Sequence, residues 1–369
     1  MRTMRTKAAL ALSLITAVAA IGVAASVASA SSSAKTAAFK AAWIYVGPHN
    51  DGGWSQAHEA GRLYVQKMLG SKVQTTYKEN VPESSQVTQV IEQLVRDGNK
   101  IIFATSFGYQ NAMVAAAKKH PDVLFEQATG TAQSKNLAEY YGAGEQGIYL
   151  SGIAAGAASK NGDVGYVVPF PIPEVIRHAN AFTLGVQAAH PGAKVRLVFT
   201  NSWFDPAKEK KAAESLISAG ATVIGQNVDS PAAGQAAQAA SVPWVGYDSD
   251  AKKFAPKSWL TAAVYDWGPY YLSRVKAAMA GTWKTGFYYG DLKDGFVKLA
   301  PYGAGVSAKT KAMIASKKKA IENGSFSVFK GPLKNQAGKV VVPAGKDLTV
   351  KDLYAMSWLV QGVIGTVKG

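Results

Sequence analysis

The sequence places two tryptophans in short polar loops. Trp54 lies in YVGPHNDGGWSQAHEAG and Trp203 in FTNSWFDP, and each follows a run of β-forming residues. A single tryptophan in such a loop is usually explained as a cap on the core of its own domain. Two tryptophans in equivalent loops suggest another use, because a flat ligand can stack between two indole rings. We therefore expect Trp54 and Trp203 to grip a flat molecule from either side.

The elements that must position these tryptophans form two similar series. Short β-rich runs alternate with helix-length amphipathic stretches, which predicts βαβ units and parallel sheets. Ligands of such sheets bind outside the carboxyl ends of the strands, so both tryptophans should face one cleft between two α/β domains. The predicted strands are 41–46, 73–77, 100–104, 123–126 and 138–142 in the first series, and 163–168, 195–200, 221–224, 243–246 and 260–264 in the second.

The N-terminus and the cysteine content indicate the compartment. Three basic residues precede an apolar run that closes on Ala28-Ser29-Ala30, a pattern typical of a cleaved secretory signal over residues 1–30. An uncleaved membrane anchor is the alternative, and the cleavage position at Ala30 stays open. The chain has no cysteine, so it can have no disulfide, thiolate metal site or lipid-bearing cysteine. We expect a free periplasmic protein.

The charge of the chain is basic but dispersed. Lysine and arginine number 40 against 24 acidic residues, and they occur as pairs and triplets on helix-like segments. A nucleic-acid-binding protein would gather these charges on one face. The pattern instead predicts a solvated basic surface with no nucleic-acid partner.

Motifs of enzymes are weak in this sequence. GAGEQG at 142–147 matches G-x-G-x-x-G and is followed by Asp163, as in dinucleotide-binding folds, but it follows the fifth predicted strand rather than the first. A glycine-rich turn into an interdomain crossing is the simpler interpretation. The histidines lack metal-ligand spacing, and there is neither a G-x-S-x-G nor a phosphate-binding loop. We expect no catalytic residues, metal or cofactor.

Four segments carry a resemblance to a known family. They are NDGGW at 50–54, NSWFDPAKEKKAA at 201–213, GYDSD at 246–250 and the tail that begins with FKGPLKNQAGKVVVPAGKDLT. With these segments the sequence resembles the basic membrane protein family of ABC-transporter solute-binding proteins, in the purine-nucleoside-receptor-like group, from about residue 38 to the end. The resemblance implies a type I periplasmic binding fold, a purine in the cleft and a membrane permease as partner.

The same resemblance implies a domain plan. An N-terminal α/β lobe would cover residues 38–160 and a C-terminal lobe residues 161–265. Residues 266–369 would return across the hinge, with a helix packing on the N-terminal lobe and a C-terminal tail. The hinge itself would include segments near 142–164 and 264–270 and one later return. We expect the protein to be monomeric.

The resemblance also implies site residues. Trp54 and Trp203 match the two base-stacking positions, and Asp250 matches the carboxylate of the G-x-D-x-D turn, whose Asp248 would only order the turn. Phe107 in TSFGY stands where the family lines its pocket.

Departures from the family pattern indicate which purine is bound. Ser55 and Phe204 replace asparagines that follow the family's aromatic residues, and Tyr265 and Asp266 stand where nucleoside-binding members carry a lysine for ribose. We therefore predict a free purine base, adenine first, whose amino group would suit a carboxylate such as Asp250 or Asp266 because carboxylates only accept hydrogen bonds.

Two other interpretations remain open at this point. One is a secreted enzyme that processes purine nucleosides or uses NAD. The other is a receptor of the same fold that serves a signalling partner instead of a transporter.

Overall fold

A computed structural model describes residues 37–367, so the predicted signal segment lies outside the described residues. The strands in this range are β1 (Phe39–Ile44), β2 (Val73–Lys78), β3 (Ile101–Ala104), β4 (Leu124–Ala128), β5 (Leu137–Gly142), β6 (Asp163–Val168), β7 (Lys194–Phe199), β8 (Ile224–Gln226), β9 (Trp244–Asp248), β10 (Trp259–Tyr265), β11 (Phe287–Gly290), β12 (Val297–Leu299), β13 (Leu333–Lys334), β14 (Val340–Val342) and β15 (Val363–Ile364).

Helices separate most of these strands. Over the same residues they are α1 (Trp54–Leu69), α2 (Ser85–Arg96), α3 (Gln110–Lys119), α4 (Gly144–Ala158), α5 (Pro173–Ala189), α6 (Pro206–Ser218), α7 (Ala232–Ala239), α8 (Trp267–Met279), α9 (Ala308–Glu322) and α10 (Val350–Tyr354), with short 3₁₀ helices at Gly70–Lys72, Phe107–Tyr109 and Lys252–Phe254.

The strands form two larger sheets. The first sheet has the order β11-β5-β4-β3-β1-β2, and the second has the order β12-β10-β9-β8-β6-β7-β15. All neighbouring strands in both are parallel except β10 and β12, which are antiparallel. β13 and β14 form a separate antiparallel pair. The prediction of two parallel α/β series is therefore confirmed.

Burial on both faces explains the apolar composition of these strands. In β3, all four residues are fully buried, since helices cover parallel sheets from both sides. Residues of α2 and α3 pack on one face of the first sheet, while α1 and α8 lie on the other. The second sheet is covered on one face by α6 and α7 and on the other by α4 and α5.

The chain passes between the two sheets more than once. After β5 it enters α4 and continues into β6 of the second sheet; after β10 it runs through α8 to β11 of the first sheet and then back to β12. These passages fall at or near the segments predicted as the hinge. β15, close to the C-terminus, joins the second sheet beside β7. The lobe boundaries and the hinge movement stay predictions.

The predicted strand positions agree closely with the observed ones, apart from β8. This strand begins at Ile224 rather than at Ala221. The residues before it already hydrogen-bond to β6, because the Thr222 amide donates to the Asp163 carbonyl and the Gly165 amide donates to the Val223 carbonyl, both at 2.9 Å. Among the described residues, none of the helices combines the length and the apolar character that a membrane crossing requires.

Candidate ligand-binding site

Loops at the carboxyl ends of strands from both sheets line one small cavity with about 20 Å³ of free volume. That is space for about one water molecule, so a larger ligand enters only if the two walls of the cavity move apart. Segments that follow strands of the first sheet contribute Val46, Trp54, Thr105, Ser106, Phe107 and Thr129 to its lining. The end of β9 and segments that follow other strands of the second sheet contribute Glu174, Trp203, Asn227, Asp229, Tyr247 and Asp248.

Trp54 is held rigidly at the start of α1. Its Nε1 donates to the carbonyl oxygen of Thr105 at 2.5 Å. Behind the indole, His58 makes an edge contact with ring centroids 4.3 Å apart, and Trp267 makes another at 5.4 Å. Only 8% of Trp54 is exposed. The indole therefore offers a fixed wall to the cavity.

Trp203 faces the same cavity from the second sheet. It lies in the loop between β7 and α6 and is half-buried. Its Nε1 donates to Oε2 of Glu83 at 3.0 Å, and its ring packs edge-on against Phe170 at 5.1 Å. The structure thus brings the two predicted tryptophans to one cavity from opposite sheets.

Phe107 adds a third aromatic side chain to the lining. It opens the 3₁₀ helix after β3 and is 42% exposed. Oε1 of Glu83 fixes this loop by accepting from Ser106 Oγ and from the Gly108 amide, each at 2.6 Å. Position 108 needs glycine, since a Cβ there would lie 2.5 Å from the Glu83 carboxyl carbon.

Two buried carboxyl groups face the cavity, and three of their four oxygens have no hydrogen-bond partner in the described part of the chain. Asp229 follows β8 and Asp248 ends β9; Oδ2 of Asp229 and both carboxyl oxygens of Asp248 are unpaired. Burial, and then the nearby carboxylate of Asp51, raise the pKa of each well above its ordinary value. Asp248 also has a left-handed backbone with φ of 66°. None of the cavity-lining residues described is a lysine or an arginine.

The carboxylate of Asp51 accepts hydrogen bonds from backbone amides at the start of α1. Its Oδ1 accepts from the amides of Gly53 and Gln56 at 2.9 Å, and its Oδ2 accepts from the Ser55 amide at 2.8 Å. These bonds satisfy amides at the helix start that otherwise lack partners. Ser55 is fully buried, and its Oγ accepts from the Gly47 amide at 3.3 Å. Asp51 and Ser55 therefore stabilise the backbone of the Trp54 loop.

Four residues that were expected at the site lie outside the lining of this cavity. Asp250 is exposed and accepts from the Lys252 amide, while Asp266 pairs with Lys298 Nζ at 2.6 Å. Phe204 lines an adjoining groove that shares Val46 and Trp203 with the cavity. Ser55 stabilises the Trp54 loop through its hydrogen bond with the Gly47 amide. A direct ligand contact by these four residues stays a prediction.

A buried network of phenols lies next to the cavity. Tyr265 is 3.3 Å from Tyr141 and 3.1 Å from Tyr247 between hydroxyl oxygens, and Tyr141 donates to Glu174 at 2.7 Å. Burial raises the pKa of Glu174, and burial with the charge of Arg177 lowers that of His178, which keeps this imidazole neutral. Tyr265 stands where the family resemblance implies a lysine that contacts ribose. Its hydroxyl is thus already hydrogen-bonded in the buried network.

The glycines of GAGEQG are explained by close packing. A Cβ on Gly142 or Gly144 would overlap the side chain of Tyr265. Gly147 lies equally close to Val297, where a Cβ would be 2.9 Å from a methyl group. In the described residues no group of three or more histidine, cysteine or acidic side chains is arranged to hold a metal ion.

Sequence reasoning missed the most polar part of the site. Asp229, Glu174 and Asn227 were not predicted, and Asp248 was assigned only to its turn. The sequence did contain one signal for these residues. QNV at 226–228 resembles ENV at 79–81, and the residues after β8 must lie at the same sheet edge as Trp203. Which carboxylates lose their water and their partners depends on packing across both sheets, so it cannot be seen in a local motif.

A cavity between strand-end loops of two largely parallel sheets, lined by aromatic and acidic side chains, is typical of a protein that binds a small solute. The chain belongs to the Bmp family, described as ABC transporter substrate-binding protein PnrA-like, whose sequence model matches residues 38–328. The predicted family and the prediction of a solute receptor instead of an enzyme are thereby confirmed.

Individual relatives agree with this assignment. The chain is 41% identical to a purine-binding protein of Brucella abortus, over 88% of this chain and 92% of that protein. It is 36% identical to a putative ABC transporter glucose-binding protein of Haloferax volcanii, over 79% of this chain and 74% of the relative. A solved ABC-transporter solute-binding protein from Conexibacter woesei shares the fold, with a TM-score of 0.64 at 24% identity, covering 79% and 98% of the two chains. The predicted type I periplasmic binding fold is confirmed.

Proposed function

We propose that this protein is the purine receptor of an ABC importer and that it binds a free nucleobase, adenine first, in preference to a nucleoside. The observation that carries the proposal is the combination of two indoles with two buried carboxyl groups that have unpaired oxygens in one cavity. Stacking a base on an aromatic side chain contributes ~1–3 kcal/mol. Trp54 and Trp203 come from opposite sheets, so a planar ligand between them would contact both.

The carboxyl groups fit the edge of adenine. A carboxyl group that keeps its proton has one donor beside one acceptor. Because burial raises the pKa values of Asp229 and Asp248, this neutral form is favoured well beyond its usual pH range. Adenine offers the matching pair, an amino group beside a ring nitrogen. Leaving a buried polar group unpaired costs ~1–3 kcal/mol, so a ligand that pairs it is stabilised.

The surroundings of the cavity give little support for a ribose. The side chain that replaces the ribose lysine, Tyr265, already bonds to Tyr141 and Tyr247. Asp266 is held by Lys298. Sugar hydroxyls that lose water without gaining partners reduce affinity. We therefore propose that adenine binds at least as tightly as adenosine.

A sugar is the second candidate ligand. The relative named as a putative glucose-binding protein is 36% identical to this chain. The unpaired oxygens of Asp229 and Asp248 would also accept hydrogen bonds from sugar hydroxyls. A sugar would leave one feature unused, however, because a pair of indoles on opposite walls suits a flat ring better than a puckered one.

The biological setting follows from the family. Substrate-binding proteins of ABC transporters bind a small ligand outside the cytoplasmic membrane and bring it to a permease. We propose that this chain reaches the periplasm through the signal predicted over residues 1–30, and that it serves its permease as a monomer without a cofactor. The lobes at 38–160 and 161–265 would close on the ligand about the predicted hinge.

A thermal-shift series on the mature chain tests this function. Adenine, hypoxanthine and guanine should each raise the melting temperature in a concentration-dependent way, since ligands that bind only the folded state stabilise it. Glucose and NAD should leave it unchanged. Chromatography of the same mixtures, and of the protein incubated with adenosine and inosine, should return the added purines unaltered. Stabilisation by glucose alone, or conversion of a purine nucleoside into products, would contradict the proposal.

A further inference from the structure

One exposed carboxylate joins the two sides of the cavity. Glu83 lies between β2 and α2, and its Oε1 accepts from Ser106 Oγ and the Gly108 amide at 2.6 Å each. Its Oε2 accepts from Trp203 Nε1 at 3.0 Å. Ser106 and Gly108 flank Phe107 on the first-sheet side, whereas Trp203 belongs to the second-sheet side. A single side chain therefore fixes aromatic residues of both walls.

Other contacts across the cavity lie close to the Trp54 loop. Ser249 Oγ donates to the carbonyl of Gly52 at 2.5 Å. Gly53 rests against the backbone of Asp229, where any Cβ would collide with the carbonyl group. Together with the Glu83–Trp203 bond, these contacts describe a cavity whose two walls touch, with Glu83 supplying the charged hydrogen bond among them.

Acidic side chains on both walls oppose this arrangement. Asp51 comes from the first-sheet side, and its carboxylate contributes to the raised pKa values of Asp229 and Asp248 on the other side. Bringing the walls together therefore costs free energy, because the two aspartates must take up protons, and a ligand that pairs the resulting carboxyl groups reduces this cost. A contact such as Glu83–Trp203, which exists only while the walls are together, offsets part of the same cost.

We propose that Glu83 is the positioning residue that holds the Phe107 loop and Trp203 together over the ligand and thereby sets how long the ligand stays bound. The proposal rests on the proposed function only in placing the ligand in this cavity. Glu83 acts through Trp203 and the Phe107 loop. Its removal should therefore change the dissociation rate more than the association rate, as is usual for contacts formed after encounter.

The test combines kinetics with a double-mutant cycle. Stopped-flow fluorescence should give adenine dissociation roughly three- to tenfold faster for Glu83→Ala than for wild type, as expected for the loss of one partly exposed charged hydrogen bond. Trp203→Phe keeps an aromatic ring but removes the N–H, so it should accelerate dissociation in wild type and add little in Glu83→Ala. Glu92→Ala is the matched control, because Glu92 bonds to Lys119 and His120 away from the cavity.

A measurement without ligand separates the two proposals. Small-angle scattering of ligand-free Glu83→Ala should give a larger radius of gyration than wild type or Glu92→Ala, because the walls lose a contact that holds them together. If wild type binds no purine but this expansion is seen, the ligand is wrong and the role of Glu83 stands. Unchanged dissociation in Glu83→Ala, fully additive effects of the two substitutions, or no expansion would overturn the role of Glu83.

Discussion

Removing the indole of Trp203 should weaken purine binding without unfolding the protein. The side chain is half-buried at the margin of the hydrophobic core, where it packs on the edge of Phe170 at 5.1 Å and donates to Glu83 at 3.0 Å. The main loss in Trp203→Ala is therefore the stack on the ligand, ~1–3 kcal/mol. Since 1.4 kcal/mol corresponds to tenfold in affinity, adenine should bind roughly ten- to a hundredfold more weakly. Titration calorimetry measures this directly.

A matched tryptophan gives the control. Trp283 is also half-buried and also donates to a glutamate, Glu126, at 2.6 Å, but it does not line the cavity. Trp283→Ala should lower the melting temperature and leave adenine affinity within about twofold of wild type. Thermal unfolding of both variants distinguishes a binding defect from a folding defect. If Trp203→Ala keeps full affinity, or if both variants lose it equally, the stacking role assigned to Trp203 is wrong.

Three further predictions concern the buried acids. Asp229→Asn should keep adenine affinity within about threefold, because an amide also offers a donor beside an acceptor, while Asp229→Ala should lose roughly tenfold or more by calorimetry. The affinity of the wild-type protein for adenine should fall as pH rises, because the raised pKa values of Asp229 and Asp248 mean that the closed site favours their protonated form. When adenine affinity is measured from pH 5 to 9, its decline with pH should be shallower in Asp229→Asn. Burial raises the pKa of Glu139 from 4.5 to about 7, so the folded state holds this proton longer than the unfolded chain and stability declines as pH rises through that interval. Glu139→Gln should remove that decline and stabilise the protein at pH 8 by up to about 3 kcal/mol in urea unfolding, whereas a pH profile identical to wild type would contradict the assignment.

Most of the fold could be predicted from the sequence because the patterns that indicate strands and helices are local. Alternation of β-rich runs and helices predicted both parallel sheets, and β6 was placed at 163–168 as observed. The short strands after β10 were missed, since β11 and β12 have only four and three residues and complete sheets whose other strands are distant in sequence. Pairing of that kind depends on register across the sheet, which a single sequence does not reveal.

The aromatic half of the site was predictable and the acidic half was not. Trp54 and Trp203 stand out because a large apolar residue in a polar loop violates the usual pattern. Asp229 and Asp248 look like ordinary loop and strand-end residues, and it is the packing of the folded chain that leaves three of their oxygens buried without partners among the described residues. In GYDSD the aspartate nearer the strand, Asp248, lines the cavity, while Asp250 points to solvent.

Calorimetric titration of the mature chain with adenine and adenosine under identical conditions tests the central claim most directly. We expect one site per chain, with adenine bound at least as tightly as adenosine, because stacking and carboxyl pairing serve the base and none of the described residues that line the cavity offers a cationic group to a ribose. Glucose should produce no binding heat. Clearly tighter binding of adenosine would contradict the preference for the nucleobase, and binding of glucose in the absence of any purine binding would contradict the assignment of a purine receptor.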